Sequence, residues 1–381
     1  MQATSLSFCA VIGDDADPLT VREYNESPHT YRSPFQRDRD RVIHARAFRR
    51  LAGKTQVFTH RNSDHFRSRL THTMEVTQIA RTAAATLDLN EDLAETLALV
   101  HDIGHPPFGH AGEHALDRQL QSYGLRFDHN LHALRIVEYF EQRYAGFRGL
   151  NLTLAVREGI IKHSRDYSYA EHPELQAYML DELPPLEAQL IDLADEIAYL
   201  TADIDDGVEA EILSLDELCR NVTLLDEFYR RMESRYPDAT PKLLFQEALK
   251  RMLNALVNDL VVTTHRRATE AGVRSLQAVR HSTERLAAFS PEMEQRRRQA
   301  KEYLLQELYH AHDLDRDHML AEEIIAGLFQ YWIENPAQLP ISHETQIASE
   351  GAPRVIADYI AGMTDHFITQ QWQQVQALRK K

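Results

Sequence analysis

Residues 93–116 read LAETLALVHDIGHPPFGHAGEHAL. An apolar helical run up to Val100 meets the pair His101-Asp102 where Gly104, Pro106 and Pro107 interrupt it, and a second helical pattern resumes at Gly112. Neighbouring residues on a regular helix point about 100° apart, so an imidazole and the adjacent carboxylate can serve one ion only where the helix ends. Working outward, His72 lies on the helical pattern 70–87 and Asp195 on IDLADEIAYLTADIDD (191–206). His72, His101, Asp102 and Asp195 make a candidate set of two imidazoles and two carboxylates without a thiolate. Such a set suits a divalent Mn, Mg, Fe, Ni or Zn ion and does not distinguish among them. Nine of the 20 histidines fall between positions 60 and 132. That clustering is itself chemical, because histidine is both a metal ligand and a usable acid or base near neutral pH.

Asp195, Tyr199 and Asp203 recur at i, i+4 and i+8 on one side of a helix, beside Ile197, Ala198 and Leu200. Two readings stand at this point: a face that holds a metal or polar ligand, which would offset the cost of placing acids among apolar residues, or a solvent-facing acidic stripe.

Composition bounds the rest. The 381 residues contain only 14 glycines and 14 prolines, fewer than average usage, which favours long helices over a many-turned β architecture. The expected fold is all-α with at most a small β element at 55–59. Helical patterns follow at 34–51, 112–120, 131–140, 152–163 and 186–204, and another starts at Thr240-Pro241. Met74, Val76, Ile79, Ala80 and Ala83 are expected on the buried side of 70–87. The expected organisation is a loose N-terminal arm (1–30), a catalytic core (31–210) and a helical C-terminal part (211–381) that completes the active site and supplies oligomer contacts. A formal charge of −16 argues against a surface built mainly for nucleic acid or anionic lipid while leaving room for a local basic pocket. Cys9 and Cys219 form neither a disulfide framework nor a CxxC pair, which points to a reducing compartment. With no run of eighteen apolar residues and no signal-peptide pattern at the start, the expected location is cytoplasmic, without membrane attachment.

Six segments taken in order carry a resemblance: TYRSPFQRDRDRVIHARAFRRLAGKTQVF (30–58), RSRLTHTMEVTQIAR (67–81), HDIGHPPFGHAGEHAL (101–116), FDHN (127–130), IDLADEIAYLTAD (191–203) and PRVIADYIAGMTD (353–365). The chain resembles the bacterial deoxyguanosinetriphosphate triphosphohydrolase-like proteins, dNTP triphosphohydrolases of the HD-domain superfamily. The resemblance implies an HD-domain helical core with additional C-terminal helices, and conversion of a dNTP and water to a deoxynucleoside and inorganic triphosphate. It also implies roles residue by residue. His72, His101, Asp102 and Asp195 match the metal ligands, and His110 with Glu113 matches a catalytic His-acid pair. His105 and His129 match histidines that approach the phosphates. Tyr199 and Asp203 match contacts to the sugar, Arg50 and Leu51 the segment lining sugar and base, and Arg69 a phosphate contact. Lys162 and Arg354 match by segment only. Pro106 stands where Thr is common in this family, and Ala52-Gly53 replaces bulkier residues.

The chemistry fits without the name. Hydrolysis at an α-phosphate needs an activated water, cations to offset the triphosphate charge, and an acid for the departing 5′-oxygen. Glu113, three residues after His110, shares its helical face and can hold that imidazole charged. Competing expectations are an HD phosphohydrolase acting on a nucleoside monophosphate or cyclic nucleotide, and a nucleotide-sensing or single-strand-binding regulator using basic segments such as His265-Arg266-Arg267. The expected partners are a dNTP substrate, with a dNTP activator or single-stranded nucleic acid left open, and further copies of the chain in a homo-oligomer, tetramer or hexamer.

Overall fold

A computed structural model describes residues 5–56, 66–308 and 312–379. The described chain is all-α: α1 (Pro34–His44), α2 (Arg46–Arg50), α3 (Arg69–Thr86), α4 (Glu91–Val100), α5 (Gly109–Gln121), α6 (His129–Arg135), α7 (Leu154–Ile161), α8 (Leu186–Glu209), α9 (Leu215–Asn221), α10 (Thr223–Arg235), α11 (Pro241–Glu270), α12 (Leu276–Arg280), α13 (Pro291–Glu307), α14 (His312–Glu334), α15 (Ile341–Glu344), α16 (Ile347–Glu350), α17 (Ala352–Ala361) and α18 (Asp365–Arg379). Extended pairing among the described residues is confined to isolated bridges, Thr55 with Ser68 and Gln142 with Gly149. Of the expected β element at 55–59, residues 57–59 lie outside the described residues.

Contacts group the chain into two compact units built from interleaved segments, not the consecutive blocks expected from the sequence. The first unit comprises Met1–Arg39, His72–Ala98 and Thr153–Ala311, and the second Asp40–Thr71, Leu99–Leu152 and His312–Lys381. Sequence order cannot reveal this, because helices far apart in the chain share one apolar core.

In the first unit α8 packs against α11 and α13, and α11 against α10. The start of α11 follows its predicted signal: Pro241 opens the helix and the Thr240 side chain accepts the amide hydrogen of Leu243. Along α3, Val76, Ile79, Ala80 and Ala83 are buried as their spacing requires, whereas Met74 is exposed, a residue short of the stripe. The N-terminal segment is not a loose arm. Leu6, Cys9, Val11 and Leu19 are buried, the Leu6 amide donates to the Leu87 carbonyl (2.7 Å), and the Val11 amide donates to Glu187 Oε1 (2.9 Å). Its few apolar residues lack periodicity but find complementary pockets, which only tertiary packing provides.

In the second unit α14 packs against α5, α17 and α18 around Leu116, Leu120, Ile325, Leu328, Phe329 and Ile356. This core carries the break between α4 and α5, where the chain runs close to α6. A Cβ added at Gly104 would lie 2.0 Å from the His129 carbonyl oxygen and 2.6 Å from the Ala133 nitrogen, so only glycine permits this approach. Gly104→Ala should therefore displace α6 and lower stability by about 1–3 kcal/mol, the usual cost of overpacking. Urea denaturation followed by circular dichroism checks this, and a midpoint equal to wild type would show that α6 yields without strain.

Candidate active site

The second unit brings together the charged residues around the α4–α5 break. Arg69, at the start of α3, donates from Nη1 to Asp102 Oδ2 at 2.9 Å, with both side chains almost fully buried. His105 Nδ1 lies 3.0 Å and His101 Nε2 3.6 Å from Asp102 Oδ1. Burial alone would raise the Asp102 carboxyl, but Arg69, His105 and His101 outweigh it and hold the group well below the usual carboxylate range. Asp102 is thus an anion at neutral pH. Burial, reinforced by Arg69 and His129, pushes His105 well below the ordinary histidine range against the pull of Asp102, so His105 is a neutral imidazole. Arg69 Nε is buried with no hydrogen-bond partner among the described residues, which leaves that guanidinium donor capacity for a ligand.

One turn into α5, Glu113 stands between two histidines. Its Oε1 lies 2.9 Å from His129 Nδ1 and accepts the His129 backbone amide at 3.2 Å, while Oε2 lies 3.6 Å from His110 Nδ1. Sequence spacing pairs Glu113 with His110 alone; the shorter contact is to His129. The reason is the cap of α6: the Asp128 side chain accepts the amides of Asn130 and Leu131, setting His129 in the first turn, where the positive helix end faces the Glu113 carboxylate. Burial opposes ionisation of Glu113, but the adjacent His110 and the hydrogen-bonded His129 prevail, and its carboxyl titrates far below the usual range. The rings of His105 and His129 stack with centroids 4.0 Å apart, and His110 meets His105 edge-on at 5.6 Å. His105, Glu113 and His129 also offer ligand atoms within 4.8 Å of one another. His110 is the exposed member, with 59% of its side chain open to solvent.

In the first unit His72 Nε2 lies 2.8 Å from Asp195 Oδ1, and the His72 ring meets Tyr199 edge-on at 6.3 Å. Asp203, two turns beyond Asp195 on α8, is buried, so this face of the helix is not a solvated acidic stripe. Sequence reasoning passed over His163, whose Nδ1 lies 2.7 Å from Asp192 Oδ1 in the same unit. The only signal was a histidine closing the apolar helix α7.

The remaining expected contacts lie in other settings. Lys162 donates from Nζ to Glu158 Oε1 (2.6 Å) and to the carbonyls of Met179 and Glu182 (2.7 Å each), so its three ammonium hydrogens are already placed in the first unit. That finding removes the basis for a phosphate role. Leu51 is fully buried and its side chain serves the core. Arg50 donates to the Gly362 carbonyl at 2.8 Å and lines a cavity of about 530 Å³ in the second unit, together with Arg46, Lys54, His343, Asp358 and Tyr359. Arg354 donates to the Arg126 carbonyl at 3.0 Å.

An all-α architecture carrying a histidine-aspartate pair at a helix break defines a hydrolase of the HD-domain class. The HD domain model matches residues 69–200, which contain His72, His101, Asp102 and Asp195, and the phosphohydrolase-associated domain model matches residues 287–374. Proteins named deoxyguanosinetriphosphate triphosphohydrolase-like are similar to the chain throughout. One from Thiobacillus denitrificans is 43% identical over 94% of this chain and 95% of its own length, one from Azoarcus sp. 44% identical over 91% and 90%, and one from Geobacter sulfurreducens 40% identical over 90% and 89%. The chain belongs to the deoxyguanosinetriphosphate triphosphohydrolase-like family, and it is a phosphohydrolase. Among the described residues no helix is long and apolar enough to cross a membrane.

The Glu113 shift has a pH consequence. A carboxyl whose folded pKa lies below its unfolded value of about 4.5 stabilises the fold above that pH, and the contribution fades as pH falls further. Urea denaturation from pH 7 to 3 should show wild type losing stability below about pH 4.5 more steeply than Glu113→Gln, with the two converging in acid. Parallel curves would mean that Glu113 is not held ionised by its histidines.

Proposed function

We propose that the protein hydrolyses a deoxynucleoside triphosphate, dGTP or several dNTPs, to the deoxynucleoside and inorganic triphosphate. The observation that carries this reading is the second-unit cluster itself: an ionised carboxylate beside His101, a buried arginine with an unused donor, and a histidine-glutamate group one turn away. The names of the relatives supply the substrate.

His72, His101, Asp102 and Asp195 are the proposed ligands of one divalent metal. The donor chemistry fits: Asp102 is anionic, the set contains no thiolate, and the HD domain is that of metal-dependent hydrolases. When bound, such an ion supplies Lewis acidity toward a phosphoryl oxygen and lowers the pKa of water. The chain's own groups do the rest. Arg69 supplies positive charge that offsets the triphosphate, and neutral His105, with Nδ1 3.0 Å from Asp102, does not compete as a proton source. Attack of water at the α-phosphorus breaks the bond to the 5′-oxygen, which must take up a proton. His110 is the proposed donor, since it is exposed to an incoming substrate and keeps Glu113 within reach. Asp203 accepts the sugar 3′-hydroxyl and Tyr199 packs against C2′, where a ribonucleotide would place its 2′-hydroxyl.

Metal-reconstituted enzyme should convert dGTP to deoxyguanosine and triphosphate by ion-pair chromatography, and His101→Ala or Asp195→Ala should lose both bound metal and turnover while staying folded. Release of pyrophosphate or phosphate would redirect the assignment to another phosphohydrolase activity. His110→Ala should lower kcat by roughly 10²–10⁴-fold with metal retained. If His110→Ala retains activity while His129→Ala loses it, the proton donor is His129, the closer partner of Glu113. Asp203→Ala should reduce kcat/KM by roughly 10- to 150-fold, and Tyr199→Ala should narrow the preference for dGTP over GTP. Unchanged discrimination between the two in Tyr199→Ala would place the steric gate elsewhere.

A further inference from the structure

Two side chains outside the proposed reaction, buried Lys54 and half-buried Asp365, grip the backbone between His105 and His110 from opposite ends. Lys54 is 2% exposed, and its ammonium donates to the carbonyl oxygens of His105 at 2.5 Å and Ala361 at 2.9 Å. Both acceptors are backbone carbonyls, and among the described residues no carboxylate touches Lys54, so burial pushes its ammonium down to about 7. Its own carbonyl accepts the Arg69 amide at 3.1 Å. One residue therefore ties the start of α3, where Arg69 holds Asp102, to the backbone of His105.

The next residue begins the second grip. Thr55 gives both its amide (2.8 Å) and its hydroxyl to Asp365 Oδ2, and the other oxygen, Oδ1, accepts the Phe108 amide at 2.9 Å. Phe108 adopts φ 63° and ψ 21°, and Gly109 follows at φ 57°. The left-handed region is uncommon for a bulky side chain and persists only where surrounding structure imposes it. The Asp365 carboxylate supplies that constraint at the N-terminus of α5, where negative charge is favoured, and His110 follows two residues after Phe108. Space is tight as well: a Cβ at Gly109 would lie 3.0 Å from Arg69 Nη2.

We propose that Lys54 and Asp365 are positioning residues, which fix the backbone from His105 to His110 and thereby the places of His105 and His110 around Glu113. The proposal rests on the triphosphohydrolase reading for its kinetic readout alone.

The test uses the full-length, metal-loaded enzyme and the variants Lys54→Met, Lys54→Arg, Asp365→Ala and Asp365→Asn. Hydrogen exchange by mass spectrometry follows a peptide spanning residues 103–113, in which His105, Phe108, Gly109 and His110 carry amides and Pro106 and Pro107 do not. In Lys54→Met and Asp365→Ala this peptide should exchange at least about tenfold faster while peptides from α8 and α11 keep the wild-type rate. For dGTP, kcat should fall at least about tenfold with KM within about threefold. Asp365→Asn, which keeps an oxygen for the Phe108 amide, and Lys54→Arg, which keeps a cationic donor, should each recover a large part of kcat. Faster exchange in every peptide, with kcat tracking the folded fraction, would overturn the proposal in favour of a merely structural role. So would unchanged exchange at 103–113, or faster exchange there with kcat intact. Exchange reads the brace whatever the substrate, so a wild-type enzyme that releases no triphosphate overturns the functional reading and not this one.

Discussion

The buried ion pair between Arg69 and Asp102 is the constraint on which the second unit's site depends. A carboxylate taken out of water is costly unless a partner meets it in good geometry, and removing one member of such a pair typically costs about 3–5 kcal/mol. Arg69 opens α3 and Asp102 lies in the turn just after α4, so satisfying this one charge sets the start of α3 against that turn. The pairing also keeps Asp102 ionised, the state in which a carboxylate can ligate a cation. His101, beside it in sequence, is presented at the same helix end because Gly104 and the two prolines stop α4 there.

From that pair outward, the site separates chemically identical side chains by environment. His105 lies against Asp102 and beneath Arg69, where burial and the guanidinium keep it neutral. His129 is drawn to Glu113 by the first turn of α6, and His110 stands exposed at the edge of the same group. Glu113 stays ionised because His129 hydrogen-bonds to it and His110 stands close by. Three histidines within one cluster therefore differ in partners and access, the kind of arrangement by which enzymes assign different roles to one residue type.

Local field, not net charge, reconciles a −16 protein with the polyanionic substrate proposed for it. In the second unit Arg46, Arg50 and Lys54 line one cavity and Arg69 lies buried by Asp102. Lys162 shows the opposite outcome. It is a lysine of the right type in a promising segment, but Glu158 and two carbonyls consume it.

The helical class, the break at His101-Asp102 and the run of motifs were legible in the sequence because each is a local property: apolar period, helix-stopping residues and residue chemistry at short spacing. The family was legible for the same reason, through segments long enough to be specific. Other features rest on contacts between residues far apart in the chain and leave no local pattern. Nothing in residues 5–19 announced that Leu6 and Val11 would be anchored by Leu87 and Glu187. Helical spacing paired Glu113 with His110, and only the docking of α6 revealed His129 as the nearer partner. Lys54 and Asp365, 311 positions apart, have no shared spacing to read, and they meet the ends of one short segment because the fold brings α17 and α18 beside the start of α5. Sequence determines which chemistry a chain can offer, but which groups are buried, paired and held in register is decided by tertiary packing, because desolvation and hydrogen-bond geometry exist only once distant segments have met.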